Sequence, residues 1–255
     1  MKVLTFFNEK GGSGKTLLTT LMASWLAYSE KKRVCVIDME CPDFRIKSFR
    51  EMDIKQLGDT ESPLYRFFRA NRPPERLFDI FPVGREINHY DTESLRDIYR
   101  QLVEIANSGK YDYMLIDFPG GFSKKTPVSV LTGLKFIDLV ITPMDTDAQT
   151  RKAALLVADA VKRAGVSCYA CWNRVTAAEL KGRLLDAGEN IFNEYGIGFL
   201  KTRVRHFEKA KRDTDGKIFV RNTVCWPQRY VEMNCRELPA FFQEVKGILD
   251  SIESE

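Results

Sequence analysis

The chain has 255 residues, 44% of them hydrophobic, and a formal net charge of +4. That is length for one large α/β domain or two small ones, with apolar content for a real core. No apolar run approaches the roughly 20 residues that a membrane-spanning helix needs, and mild positive charge says nothing of nucleic acid until it is located.

In chain order, short apolar runs alternate with amphipathic helices. The first strand is expected at residues 3–7. A glycine-rich loop comes directly after it, so the N-terminus is too short and too quickly interrupted for a signal peptide, and a cytoplasmic location is expected by default. Leu17, Leu18, Leu21, Met22 and Trp25 then recur at helical spacing. Further strands are expected at 34–37, 78–83, 113–116, 139–143 and 166–172, with a weak one at 197–200. Ala153, Val157, Ala160, Val161 and Ala164 mark a later helix. Leu238, Phe241, Phe242, Val245, Leu249 and Ile252 form the apolar face of a last amphipathic helix over 237–253. Residues 44–76 carry basic and aromatic side chains and the Pro73-Pro74 break, and read as an irregular elaboration on the site side of the sheet. Strands that are apolar throughout belong to a sheet covered on both faces. The expected architecture is a single domain over 1–255: α/β, with a mostly parallel, doubly wound sheet of about seven or eight strands and helices on both faces.

The six cysteines fit free thiols. Cys168 and Cys171 form a CxxC, a spacing known from zinc and redox sites. Here it lies in an expected strand, where residues three apart point to opposite faces, and no second CxxC completes a four-ligand site.

The loop Lys10-Gly11-Gly12-Ser13-Gly14-Lys15-Thr16 sits between a strand and a helix, the context of a phosphate-binding loop. Gly11, Gly12 and Gly14 let backbone N–H groups turn inward around phosphate oxygens. The helix after the loop adds its positive N-terminal end. Lys15 supplies a point charge to the β- and γ-phosphates of ATP, and Thr16 a hydroxyl ligand for Mg2+. The strict pattern GxxxxGK[ST] is not met, because Glu9 stands where its first glycine would fall. A second lysine, Lys10, opens the loop instead. The alternative for Lys10 is a solvated loop charge.

This is the deviant Walker A motif, KGGxGKT, and it resembles that of the ParA/MinD family of ATPases. The resemblance implies a nucleotide-sandwich homodimer in which Lys10 reaches the partner's phosphates. A second cation there would neutralise charge that shifts in phosphoryl transfer.

Two apolar runs end in carboxylates, at Asp38 and Asp117. At the carboxyl ends of parallel strands they line the ligand crevice, where both can hold magnesium, directly or through water. Each could instead cap the next helix. Phe118-Pro119-Gly120-Gly121 resembles the family's segment after Walker B, where a backbone N–H near the glycine senses the γ-phosphate. After Asp38 the family commonly reads Asp-x-Asp-Pro, with the second acid orienting the attacking water. Here Glu40 holds that position, Cys41 separates it from Pro42, and Asp43 is a rival. Asn173 ends a strand where the family has an asparagine that pairs with the adenine edge; a turn role is the alternative. Arg203 to Ala210 looks like the family's stretch beside the base, without its usual preceding proline.

Within the family, reductases and iron–sulfur carriers need paired cysteines. None comes soon after Asp117, and Cys225 and Cys235 do not form a CxxC. MinD-like proteins attach to membrane by a basic amphipathic C-terminal helix, but Glu237, Glu244, Asp250, Glu253 and Glu255 outnumber Lys246 here, so the helix is expected on the sheet and no membrane partner is expected. ParA-like partition ATPases bind double-stranded DNA of any sequence. Residues 201–229 carry nine lysines and arginines against three acids, a local balance of +6 that exceeds the whole chain's +4. Such a cluster is the footprint of phosphate contacts, with a solvated basic face as the alternative. The expected function is ParA-like: a slow ATPase, stimulated by a ParB-like partner, nucleoid-associated when ATP-bound, and without an N-terminal helix-turn-helix. The alternative is a MinD-like spatial regulator that binds no DNA.

Overall fold

A computed structural model describes residues 1–62, 65–66, 69, 78–84, 91–121, 126–206 and 236–253. In chain order these form β1 (Lys2–Phe6), α1 (Lys15–Tyr28), β2 (Val34–Asp38), α2 (Arg45–Leu57), β3 (Asp79–Pro82), α3 (Thr92–Asn107), β4 (Tyr113–Asp117), α4 (Pro127–Gly133), β5 (Leu139–Met144), α5 (Ala148–Arg163), β6 (Ser167–Trp172), α6 (Leu184–Glu194), β7 (Gly198–Phe199) and α7 (Glu237–Ser251). The sheet has seven strands in the order β3-β2-β4-β1-β5-β6-β7, and every pairing is parallel. The chain winds outward from β1 to one edge, returns through β4, and then winds to the other edge. The reversal beside β1 opens a crevice at the carboxyl ends of β1, β2 and β4, which is where such sheets bind ligands.

Two cores cover the two faces. On one, α1 and α7 pack on the sheet, with Trp25 against Phe242 at 6.0 Å and Phe6 stacked on Phe241 at 6.2 Å between ring centroids. On the other, residues of α3, α4, α5 and α6 join one cluster around Phe7, Phe118 and Trp172. Alternation along β6 divides the CxxC between these layers: Cys168 belongs to one core and Cys171 to the other. Burial pushes the Cys168 thiol up to about 12 and raises Cys171 as well, so both are inert apolar fillers.

The last helix packs as its pattern predicts, with Leu238, Phe241, Phe242, Val245 and Leu249 buried. Its acids are engaged within the chain: Glu244 accepts from the backbone N–H groups of Lys201 and Thr202 at 2.7 and 3.0 Å, and Asp250 from the Tyr113 hydroxyl at 2.6 Å. Among the described residues no helix is long and apolar enough to cross a membrane.

One expectation needs correction. Residues 45–57, expected to be irregular, form α2. Only Ile46 and Asp53 of that helix are buried, so it carries no apolar stripe for periodicity to find. Its first turn lies beside the site: the Lys47 N–H donates to Asp38 at 3.0 Å.

Candidate nucleotide site

The glycine loop leads from β1 into α1. Gly12 and Gly14 have φ of +78° and +93°, a region that costs an L side chain and lets the backbone curl around a small concavity. Gly14 is also sterically closed, since a Cβ there would lie 2.4 Å from Asn173 Nδ2. Asn8, fully buried, anchors the loop's entrance. Its Nδ2 donates to the carbonyls of Pro143 and Thr150 at 2.9 and 3.2 Å, and its Oδ1 accepts from the Lys10 N–H at 2.9 Å.

The two lysines of the loop have opposite surroundings. Lys15 is buried, and its Nζ donates to the Lys10 carbonyl at 3.3 Å. Burial pulls its pKa down, while the charges of Asp117 and Glu40 oppose that shift, so both acids share its neighbourhood. Lys10 is exposed, and its Nζ donates to Gln149 Oε1, at the start of α5, at 2.8 Å.

Asp38 and Asp117 are register partners on adjacent strands, and both are wholly buried. Asp38 accepts from the Glu40 N–H at 3.3 Å and the Lys47 N–H at 3.0 Å. Its pKa is raised by burial and held back by those donors. Neither oxygen of Asp117 accepts a hydrogen bond of good geometry, although the Thr16 hydroxyl stands close enough to favour ionisation. Burial, with the charges of Asp38 and Glu40, raises the Asp117 carboxyl to about 8. A buried carboxylate without donors, beside a threonine hydroxyl and a second carboxylate, suits a hard divalent cation that takes oxygen ligands. The residues present therefore fit magnesium.

Glu40 is half-buried and ion-paired with Arg45 at 3.4 Å. Burial raises its pKa, Arg45 opposes the rise, and the charge of Lys15 reaches it as well. Asp43, its rival, is exposed. Gly120 lies against the loop, because a Cβ there would come within 3.2 Å of the Glu9 carbonyl. Gly11, Gly12, Ser13, Gly14, Lys15, Thr16, Asp38, Glu40, Asp117 and Gly120 thus converge on one crevice.

At the end of β6, Asn173 Nδ2 donates to the Ser13 carbonyl at 2.8 Å, and Arg174 Nη1 to the Gly12 carbonyl at 2.5 Å. Asn173 therefore touches the phosphate loop itself. Sequence reasoning missed Asn8, Arg45, Gln149 and Arg174. The Arg174 contact joins positions 162 apart and leaves no local signal; Arg174's place directly after Asn173 at a strand end is the one hint.

The basic stretch 201–229 is described only to His206. Arg203 pairs with Asp186 at 2.6 Å and Glu189 at 2.9 Å, and Arg205 pairs with Glu237. Lys209, Lys211, Arg212, Lys217, Arg221 and Arg229 lie outside the described residues. Among the described residues there is no group of three or more His, Cys, Asp or Glu side chains placed to hold a metal.

Comparison with known proteins bears on the fold and the family. An uncharacterized ATP-binding protein of Methanocaldococcus jannaschii is 28% identical over 152 residues, covering 58% of this chain and 54% of that protein, so the chain spans about half the length of the curated relative it matches. Among solved structures, MinD of Aquifex aeolicus is similar with a TM-score of 0.60 at 19% identity, covering 100% of this chain and 98% of that one. A plasmid partition protein of Borrelia burgdorferi, bound to AMPPNP, gives 0.59 at 20% identity, with 96% and 98% covered. MinD of Pyrococcus furiosus gives 0.61 at 16%, with 97% and 99% covered. At these identities the structures establish the fold alone. The model of the CobQ/CobB/MinD/ParA nucleotide-binding domain matches residues 4–239, and the chain belongs to that family.

Proposed function

We propose that this chain is a magnesium-dependent ATPase that works as a nucleotide-switched homodimer in DNA partition. The observation that carries the switch is the division between the two loop lysines: Lys15 buried beside Asp117 and Glu40, Lys10 exposed and held by one hydrogen bond to Gln149. The backbone of Gly11, Gly12, Ser13 and Gly14 cradles phosphate oxygens, and Lys15 neutralises them within its own subunit. Thr16, Asp38 and Asp117 hold Mg2+, which when bound offsets phosphate charge. Glu40 orients the attacking water, tethered by Arg45, and the Gly120 segment senses the γ-phosphate. Asn173, whose Nδ2 holds the Ser13 carbonyl, keeps its Oδ1 for the adenine edge in this reading. An exposed hydrogen bond such as that of Lys10 to Gln149 is worth about 1 kcal/mol, little enough for Lys10 to exchange it for a partner's phosphate.

Lys15→Ala should abolish binding of ATP and ADP alike. Lys10→Ala should keep ADP affinity and lose ATP-dependent dimerisation, read by sedimentation. Equal loss of ADP affinity in both variants would remove the division of roles.

For the cellular role, the support is the +6 balance over residues 201–229. Arg203 and Arg205 are ion-paired within the chain, so the reading turns on Lys201 and on the basic residues of 209–229, which lie outside the described residues. Dimerisation would set two such patches on one duplex and make the second contact intramolecular. Filter binding with ATP and Mg2+ should detect duplex DNA of any sequence, with weak binding in ADP. The affinity should fall with salt at a log–log slope of about −0.9 per phosphate neutralised. Lys217→Glu with Arg221→Glu should weaken binding to all sequences and flatten that slope while ATP hydrolysis persists. No DNA binding by wild type at low salt would favour a MinD-like regulator that positions a protein complex. In the partition reading the protein is cytoplasmic, nucleoid-associated with ATP, and stimulated by a ParB-like partner.

A further inference from the structure

Two consecutive residues at the end of β6 grip two consecutive carbonyls of the phosphate loop. Asn173 Nδ2 holds the Ser13 carbonyl at 2.8 Å, and Arg174 Nη1 holds the Gly12 carbonyl at 2.5 Å. In a trans peptide the C=O and the next residue's N–H point in opposite directions. Pinning the Gly12 carbonyl toward Arg174 therefore aims the Ser13 N–H away from β6, and pinning the Ser13 carbonyl toward Asn173 aims the Gly14 N–H the same way. These two donors belong to the stretch that curls at Gly12 and Gly14.

Arg174 itself has an unusual backbone. Its φ is +64°, in the left-handed region that costs a non-glycine residue on the order of 1 kcal/mol. Asn173 is buried at 4% exposure, and the chain turns sharply directly after it. A glycine at position 174 would take that turn without cost. Arginine there accepts the cost and brings a planar, permanently charged donor onto the loop.

We propose that Arg174, with Asn173, is a positioning residue that sets the Ser13 and Gly14 amides for phosphate before nucleotide arrives. This rests on the reading of the loop as an ATP phosphate site and assigns β6 a role in phosphate affinity. The clasp acts on backbone that meets phosphates, so its removal weakens binding in proportion to the phosphates engaged, whereas loss of an adenine contact would weaken AMP, ADP and ATP equally.

The test is a series of affinities for AMP, ADP and ATP, with magnesium, on wild type, Arg174→Ala, Arg174→Lys and Arg174→Gly. An exposed hydrogen bond from a charged donor to the loop can contribute up to about tenfold to the affinity of what the loop binds. Arg174→Ala should lose about tenfold in ADP and ATP affinity and less than twofold for AMP. Arg174→Lys, which keeps a cation and a donor, should recover part of the loss. Arg174→Gly relieves the left-handed strain, so it should be at least as heat-stable as wild type and still lose di- and triphosphate affinity; it separates the clasp from a folding defect. Equal loss across the three nucleotides, or full affinity in Arg174→Gly, overturns the proposal. Failure of wild type to bind ATP would instead overturn the underlying reading of the site.

Discussion

The ends of β2 and β4 look alike and behave differently. Each strand is an apolar run closed by an aspartate, the two aspartates are register partners, and both are wholly buried. Asp38 is satisfied by the chain, through N–H groups of Glu40 and Lys47. Asp117 has no such donors and carries a carboxyl raised to about 8. The difference comes from the path the chain takes on leaving each strand. After β2 the chain doubles back through Glu40 into α2 and brings amides onto Asp38. After β4 it runs away along Phe118 and Pro119 toward the glycine loop, and Asp117 is left facing Lys15 and Thr16. Asp38 is therefore braced by the chain, whereas Asp117 is left to the site alone.

The pH dependence of stability without nucleotide gives the largest expected effect. A carboxyl whose folded pKa lies above its unfolded value of about 4 holds its proton in the folded state. Its contribution is fully present below pH 4 and is lost as pH rises through 8. Stability should fall across that window by at most about 1.4 kcal/mol per pH unit, then level off. Urea denaturation from pH 5 to 9 would measure it, and a flat profile would mean that Asp117 is ionised throughout.

Next, Asp117→Asn should remove most of that slope and raise stability at neutral pH by about 1–3 kcal/mol, because the folded protein no longer has to keep a proton on a buried acid that the unfolded chain releases. A loss of stability would place an undetected partner on Asp117. The smallest effect belongs to Asp38→Asn, which exchanges a carboxylate acceptor for an amide under two N–H donors. It should cost about 1 kcal/mol and reduce the slope only in part, since the Asp38 charge contributes to the raised Asp117 carboxyl. If it behaves like Asp117→Asn, the contrast between the two strand ends is gone.

Much of this arrangement was legible in the sequence. The loop, α1, the strands and the packing face of α7 come from local pattern, because burial imposes periodicity. Both aspartates were legible as strand ends. Their difference was not, because it depends on amides delivered by α2, a helix whose exposed surface erases the periodic signal. The Arg174 contact was hidden for another reason: a side chain reaching a carbonyl 162 positions away has no spacing rule. The charge count over 201–229 was legible, but not that Arg203 and Arg205 are engaged by acids of α6 and α7.

The most direct test of the central claim is calorimetric titration of ATP, with and without magnesium, into wild type, Asp38→Asn and Asp117→Asn at pH 7. Magnesium should strengthen ATP binding to wild type by tenfold or more, a gain of about 1.4 kcal/mol. Both variants should reduce that gain, Asp117→Asn abolishing it and Asp38→Asn, whose carboxylate is shared with two N–H donors, removing a smaller part. An undiminished magnesium effect in Asp117→Asn would contradict the assignment of the β4 end as the cation-responsive carboxylate.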